Sequence, residues 1–227
     1  YAVETTPALV RWLSWIENPL VWSTVMVRAE IAHRMEPFTR PDILYAEDFD
    51  LYHRITAHGG IARLDTPLLL YRQHDGGASK RFVDTMQASA TRVLTENHAD
   101  LLGADASAAL ADLLIHYNMA KLPVPDRATL IALGEGIARL ERGFVARHAP
   151  TASDTVRIGR ETALRWHRIC RAGLRGGTLT LADIAAAARP PWPSWPPWPS
   201  WRPSCSRDGV RRPRLAATAL LRGRSLR

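Results

Sequence analysis

Three carboxylates stand within four residues at Glu47, Asp48 and Asp50, inside the run Tyr45-Ala46-Glu47-Asp48-Phe49-Asp50-Leu51. A carboxylate placed beside a reacting hydroxyl can accept its proton as a general base. Acidic residues also collect in the first turn of a helix, where the macrodipole favours them by about 0.3–1 kcal/mol. On local sequence alone both roles stay open. Downstream lies a second polar group, Arg72-Gln73-His74, followed by Lys80 and Arg81. Taken singly, an arginine at a strand end is a surface ion-pair partner, and a lone loop histidine is a solvated side chain. Ser23 and Thr24 sit in an apolar run, where a hydroxyl more often satisfies a backbone group than touches a substrate.

Several elements would have to position these side chains. Leu9, Trp12, Leu13 and Ile16 recur at helical spacing, and Asn18-Pro19 stops that helix because the residue before proline avoids the α region. Leu20–Val27 is β-branched and nearly continuously apolar, the pattern of a buried strand. A short helix over 28–33 and a proline-rich turn follow, then a helix from Glu47 to about His58, closed by Gly59-Gly60. Ile61–Leu64 and Pro67–Tyr71 read as two short strands, and Gln73–Gly77 as a loop. Beyond Arg81 the character changes. The spans 82–102, 106–121, 127–148 and 153–173 are rich in Ala, Leu and Arg at helical periodicity, broken by Gly103, Pro123, Pro125 and Pro150.

With 227 residues, 46% of them hydrophobic, the chain can bury a sizeable core. Its net charge of +8 invites a nucleic-acid reading, but residues 1–188 carry 21 basic and 21 acidic side chains. The excess lies in residues 189–227, with nine arginines against Asp208. A neutral body argues against nucleic acid as a partner. In the tail, Trp192, Trp195, Trp198 and Trp201 recur every third residue on a proline-rich spine, the period of polyproline II. Stacking on rings or binding of phosphates is one reading of that segment, and low-complexity or out-of-frame sequence is the favoured one. Cys170 and Cys205 are too few for a disulfide framework or a four-ligand zinc site. No apolar run approaches the roughly 18–20 residues that cross a bilayer, and the opening Tyr1-Ala2-Val3-Glu4 reads as the interior of a longer chain.

Three motifs, in this order and at these gaps, carry a family likeness: Asn18–Arg28, Tyr45–Leu51 and Pro67–His74. Together they resemble the second half of bacterial family 2 glycosyltransferases of the GT-A type, over about residues 10–81. The resemblance implies an α/β fold with a partial GT-A (nucleotide-diphospho-sugar transferase) domain over 1–81; nothing after Arg81 adds to it, and there periodicity and composition predict an α-helical extension over 82–188 and a disordered tail over 189–227. It implies inverting transfer of a sugar from a nucleotide-sugar donor to a glycan or lipid-linked acceptor, for envelope polysaccharide assembly, in the cytoplasm or at the inner face of the membrane.

By the same resemblance Asp48 is the base, and Glu47 helps bind the acceptor or orients the loop. A divalent cation, Mg²⁺ or Mn²⁺, neutralises the leaving diphosphate. His74 is then the candidate ligand of metal or diphosphate, with Arg72, Lys80 and Arg81 as phosphate partners. Asp48-Phe49-Asp50 has the letters of the family's metal motif but opens a helix, where residues two apart point about 200° around the axis and cannot share one ion. Only 17 residues precede Asn18, so the nucleotide-binding half is expected to be missing and the chain inactive by itself. The alternative is a non-catalytic helical interaction module with a degenerate transferase remnant. Helical repeats would show a period of 34–47 residues, and none is present.

Overall fold

The computed structural model describes residues 5–64, 66, 69–70 and 77–187. The tail over 189–227, with Cys205 and the four-tryptophan run, lies outside the described residues. So do Arg72 and His74.

The chain opens with helix α1, Pro7–Ser14. Thr6 caps it, its Oγ1 accepting from the Leu9 N–H at 3.3 Å, and Pro7 takes the first turn, where its missing N–H costs nothing. The helix tightens over Trp15 and Ile16 before Asn18-Pro19. Short α2 (Ala29–Arg34) and α3 (Glu47–Ile55) follow, then the single turn α4 (Ala78–Arg81). The larger helices are α5 (Val83–Leu102), α6 (Ala104–Leu113), α7 (Arg127–His148) and α8 (Ala152–Arg175), with α9 (Leu181–Ala187) closing the described part. Between α6 and α7, Leu114–Met119 widens into a π-helical segment.

Their ends follow local chemistry. Asp126 caps α7 by accepting from Thr129 N–H at 2.7 Å, and Ala149 ends it in the left-handed region, one residue before Pro150. Thr151 caps α8 through Asp154 N–H at 3.1 Å. The Asp154 carboxylate also accepts from the Thr6 hydroxyl at 2.6 Å, which locks the starts of α1 and α8 together.

One core runs through these helices, from Leu9, Trp12 and Ile16 of the first segment through Phe49 of α3 to Leu94, Leu133, Phe144, Ile158 and Leu179. Trp12 is fully buried, packs edge-on to Phe144 at 5.3 Å between ring centroids, and donates its indole N–H to Thr162 Oγ1 at 2.9 Å. Gly134 on α7 leaves room for a neighbour: a Cβ there would stand 2.9 Å from the Trp166 ring. α1 is thus an integral core helix, packed against the 127–175 helices.

The expected α/β architecture is corrected by the structure: among the described residues there is no β-strand, and hence no GT-A sheet. Leu20–Val27, expected as a buried strand, contains a 3₁₀ turn at Trp22–Thr24 flanked by extended Val21 and Val25. Trp22 is 45% and Met26 98% exposed. Of the two expected strands further on, Ile61–Leu64 has no strand pairing, and Leu64 is largely exposed. Within Pro67–Tyr71 the described Leu69 and Leu70 are also exposed and unpaired. The reason is that strand propensity expresses fit to a pleated, half-buried surface, and the ladder must come from another strand. With no partner, Thr24 and Val25 N–H groups bond back to Val21 and Trp22 carbonyls, and the segment turns.

Candidate functional site

The site is built where the chain leaves α1. An α-helix leaves its last carbonyls without intrahelical donors, and here side chains from two other elements supply donors just past its end. His98 Nε2 of α5 bonds the Trp15 carbonyl at 2.8 Å, and Asn118 Nδ2 of the π segment donates to the Ile16 carbonyl at 2.9 Å. Glu17 then accepts from Arg165, itself buried and also paired with Glu161. Residues 15–17 are therefore anchored one by one, and Asn18 emerges from a fixed frame.

Asn18 Nδ2 donates to Asp48 Oδ2 at 3.0 Å, across 30 residues of sequence. Asp48 Oδ1 accepts from the Phe49 N–H at 2.8 Å, so the carboxylate also serves its own helix end. Burial pushes the Asp48 carboxyl above its ordinary pKa, and the charge of Glu47 adds to that. The bonds from Asn18 and Phe49 oppose the shift. One turn on, the Tyr52 hydroxyl is buried without a hydrogen-bond partner and held above its ordinary value by burial and by the Asp48 charge. Tyr52 lines a cavity of about 410 Å³ between residues 20–31 and 51–62, with Leu20, Val25, Ile55 and Gly60 among its walls. Asp48 is not one of its lining residues.

Asp50 has a different environment. It is 3% exposed and accepts from Arg40 at 3.3 Å and from Arg54 Nε at 2.7 Å, while Arg54 also donates to the Pro37 and Phe38 carbonyls. Arg40 extends the network to Asp42 and Glu96. Asp50 thus ties α3 to the 37–42 turn and to α5. Asp50→Asn should cost about 1–2 kcal/mol of stability, because two guanidinium groups lose a charged acceptor. Chemical denaturation would measure it, and an unchanged midpoint would rule out that structural role.

No family model, curated protein or solved structure matches this chain. The site must be read from its own geometry. Glu47 and Asp48 sit together on the first turn of α3. Tyr45, just before them, stacks on Phe82 at 4.4 Å and nearly parallel, and the Arg81 guanidinium lies 5.4 Å from the same ring. The Tyr45–Phe82 stack brings the α3 entry next to the α4 end that carries Lys80 and Arg81. Arg72 and His74 lie outside the described residues, so their expected roles have no geometry here.

The described residues do not fit a divalent cation. Asp50 is held by two arginines, Asp48 is turned to an amide, and no three His, Cys, Asp or Glu side chains converge among the described residues. Cys170 is buried, which pushes its thiol up to about 12 and leaves it unreactive. No helix among the described residues is long and apolar enough to cross a membrane. Local sequence missed Asn18 and Arg40 as partners of the two aspartates. Tyr52, four residues after Asp48 and so on the same helix face, was within reach of spacing alone.

Proposed function

We propose that this chain is the acceptor-side portion of an inverting glycosyltransferase and that Asp48 is its base. One observation supports the reading above the rest: of the two aspartates in the acidic run, Asp50 is engaged by arginines while Asp48 is held by an amide and a backbone N–H, partly buried and raised in proton affinity. A carboxylate paired with arginine is a poor proton acceptor, whereas one shielded from water and free of cationic partners is a better one. In the reaction, the acceptor hydroxyl gives its proton to Asp48 as its oxygen bonds the anomeric carbon from the face opposite the departing nucleotide diphosphate. The carbon–oxygen bond to that diphosphate breaks with inversion.

The partners on this reading are a nucleotide-sugar donor and a glycan or lipid-linked acceptor, met at the inner face of the membrane. Lys80 and Arg81, beside the α3 entry, supply cationic groups for the diphosphate.

The test uses an extended protein in which this chain follows a nucleotide-binding half. Asp48→Asn should lower its turnover about 10²-fold with donor affinity retained. Near-normal turnover would remove Asp48 from the base role. A non-catalytic reading draws support from the exposed apolar side chains Met26, Leu64 and Leu70, which would suit a packing surface for another protein element. On that reading Asp48→Asn leaves binding and activity of any assembly untouched.

A further inference from the structure

We infer that Asn18 is a positioning residue, one that sets the orientation and the proton affinity of the Asp48 carboxylate. The inference rests on the base reading for its catalytic meaning but not for its physical content. Its first support is geometric. Asn18 makes two bonds that fix its amide plane: Oδ1 accepts from the Leu20 N–H at 3.4 Å, and Nδ2 donates to Asp48 Oδ2 at 3.0 Å. The second bond engages one carboxylate oxygen while the Phe49 N–H engages the other, so the carboxylate cannot rotate without losing a partner.

A further support is the rigidity of the frame behind Asn18. The three preceding residues are each held by a side chain from a different element: Trp15 by His98, Ile16 by Asn118 and Glu17 by Arg165. Pro19 is buried and closes the segment from the other side. An amide in that position is held by the core and not by the loop it points into. A base must be kept within a fraction of an ångström of its productive geometry, and side chains braced on rigid elements do this best. The choice of an amide also matters chemically. Lysine or arginine at this place would hold the carboxylate more strongly but lower its basicity, whereas the Asn18 Nδ2 donor is neutral and leaves the charge on Asp48.

The charged and titratable groups facing Asp48 are Glu47, on its own helix, and Tyr52, one turn on. Asn18 comes from the α1 exit and opposes the upward effect of burial and of Glu47. Removing its amide should therefore raise the Asp48 midpoint. Replacing the amide by a carboxylate should raise it more, since two carboxylates would meet at hydrogen-bond distance and share a proton.

The experiment titrates the Asp48 side-chain carboxyl by carbon-detected NMR in the 227-residue chain and in Asn18→Ala and Asn18→Asp. The expected order of midpoints is wild type lowest, Asn18→Ala higher, Asn18→Asp highest, with Asn18→Gln returning toward wild type. Equal midpoints in all four, in variants whose amide spectra remain dispersed, would overturn the inference. So would equal upward shifts at Asp48 and the distant Asp112, which would report a general loosening. In the extended transferase, the acidic limb of the pH–rate profile should move up with the Asp48 midpoint in Asn18→Ala, at unchanged donor KM. If Asp48→Asn turns over normally, the base reading fails while the titration order still decides whether Asn18 governs Asp48.

Discussion

Acidification from pH 7 to pH 5 is expected to destabilise the protein by up to about 4 kcal/mol, through His53 and His98. Both rings are buried, His98 completely; His98 spends Nε2 on the Trp15 carbonyl, and His53 Nε2 and His98 Nδ1 are buried without a hydrogen-bond partner. Burial lowers His53 to about 3, with the nearby His98 adding to it, and lowers His98 to about 4. In the unfolded chain both titrate near 6.5. Between that value and their folded values the unfolded state binds more protons, so stability is full above about pH 6.5 and declines as pH falls. Each histidine contributes a slope of about 1.4 kcal/mol per pH unit over this window.

His148, lowered by burial and by the charges of Arg11 and Arg147, adds in the same direction, while the remaining groups act lower or in the opposite sense. Asp42 and Glu96, lowered by bonds from Arg40, lose their contribution only below the ordinary carboxylate range. Asp48, raised by burial, gains protons on folding and so favours the native state as the pH falls through its own range. Urea midpoints followed by tryptophan fluorescence at pH 7, 6 and 5 would show the decline, and a His53→Gln/His98→Gln double variant should flatten it. A wild-type midpoint that does not move between pH 7 and 5 would contradict the account.

Trp12→Ala should remove about 4 kcal/mol, within the 3–5 kcal/mol typical of deleting a large buried aromatic. The ring is wholly out of solvent and edge-packed on Phe144. Its indole N–H meets Thr162 Oγ1, whose own proton goes to the Ile158 carbonyl at 2.9 Å. Truncation therefore leaves a cavity between α1, α7 and α8 but no orphaned donor, since Thr162 keeps its bond within α8. Set against a usual total of 5–15 kcal/mol, the loss is a large fraction of the whole. Trp12→Phe keeps most of the volume and loses the hydrogen bond, and should cost about 1–2 kcal/mol. Thermal and urea unfolding of the pair would measure both. A Trp12→Ala loss below about 1 kcal/mol would mean that α1 is not anchored in this core. The same variant should also broaden the Asp48 carboxyl resonance, because Asn18 hangs from the end of α1.

The helices and strands show unequally how far sequence reaches. α7 appears at its expected limits, 127–148, because its signals are local: a capping Asp126, an apolar stripe at helical spacing, and Pro150 after the stop. α5 and α8 were legible for the same reason, and the break at Gly103 appears as a positive-φ residue between α5 and α6. The two aspartates two residues apart do point to different partners, as helical geometry requires. Strand propensity carries no such local guarantee. Val21, Val25 and Val27 have the side chains of a strand but, among the described residues, no neighbouring strand to pair with, so the α/β expectation failed at the level of pairing and not of residue type.

Sequence by itself determined the position of the longer helices α5, α7 and α8, because those signals depend on contacts within four residues; it did not show the short α4 and α9 or the π-helical Leu114–Met119. Tertiary structure alone decided what surrounds the acids Asp48 and Asp50. Whether a carboxylate becomes an ion-pair anchor or a shielded proton acceptor depends on the charge and dielectric that surround it. Those come from Arg40 for Asp50 and from Asn18 for Asp48, residues 10 and 30 positions away that the 37–42 turn and the exit of α1 bring near.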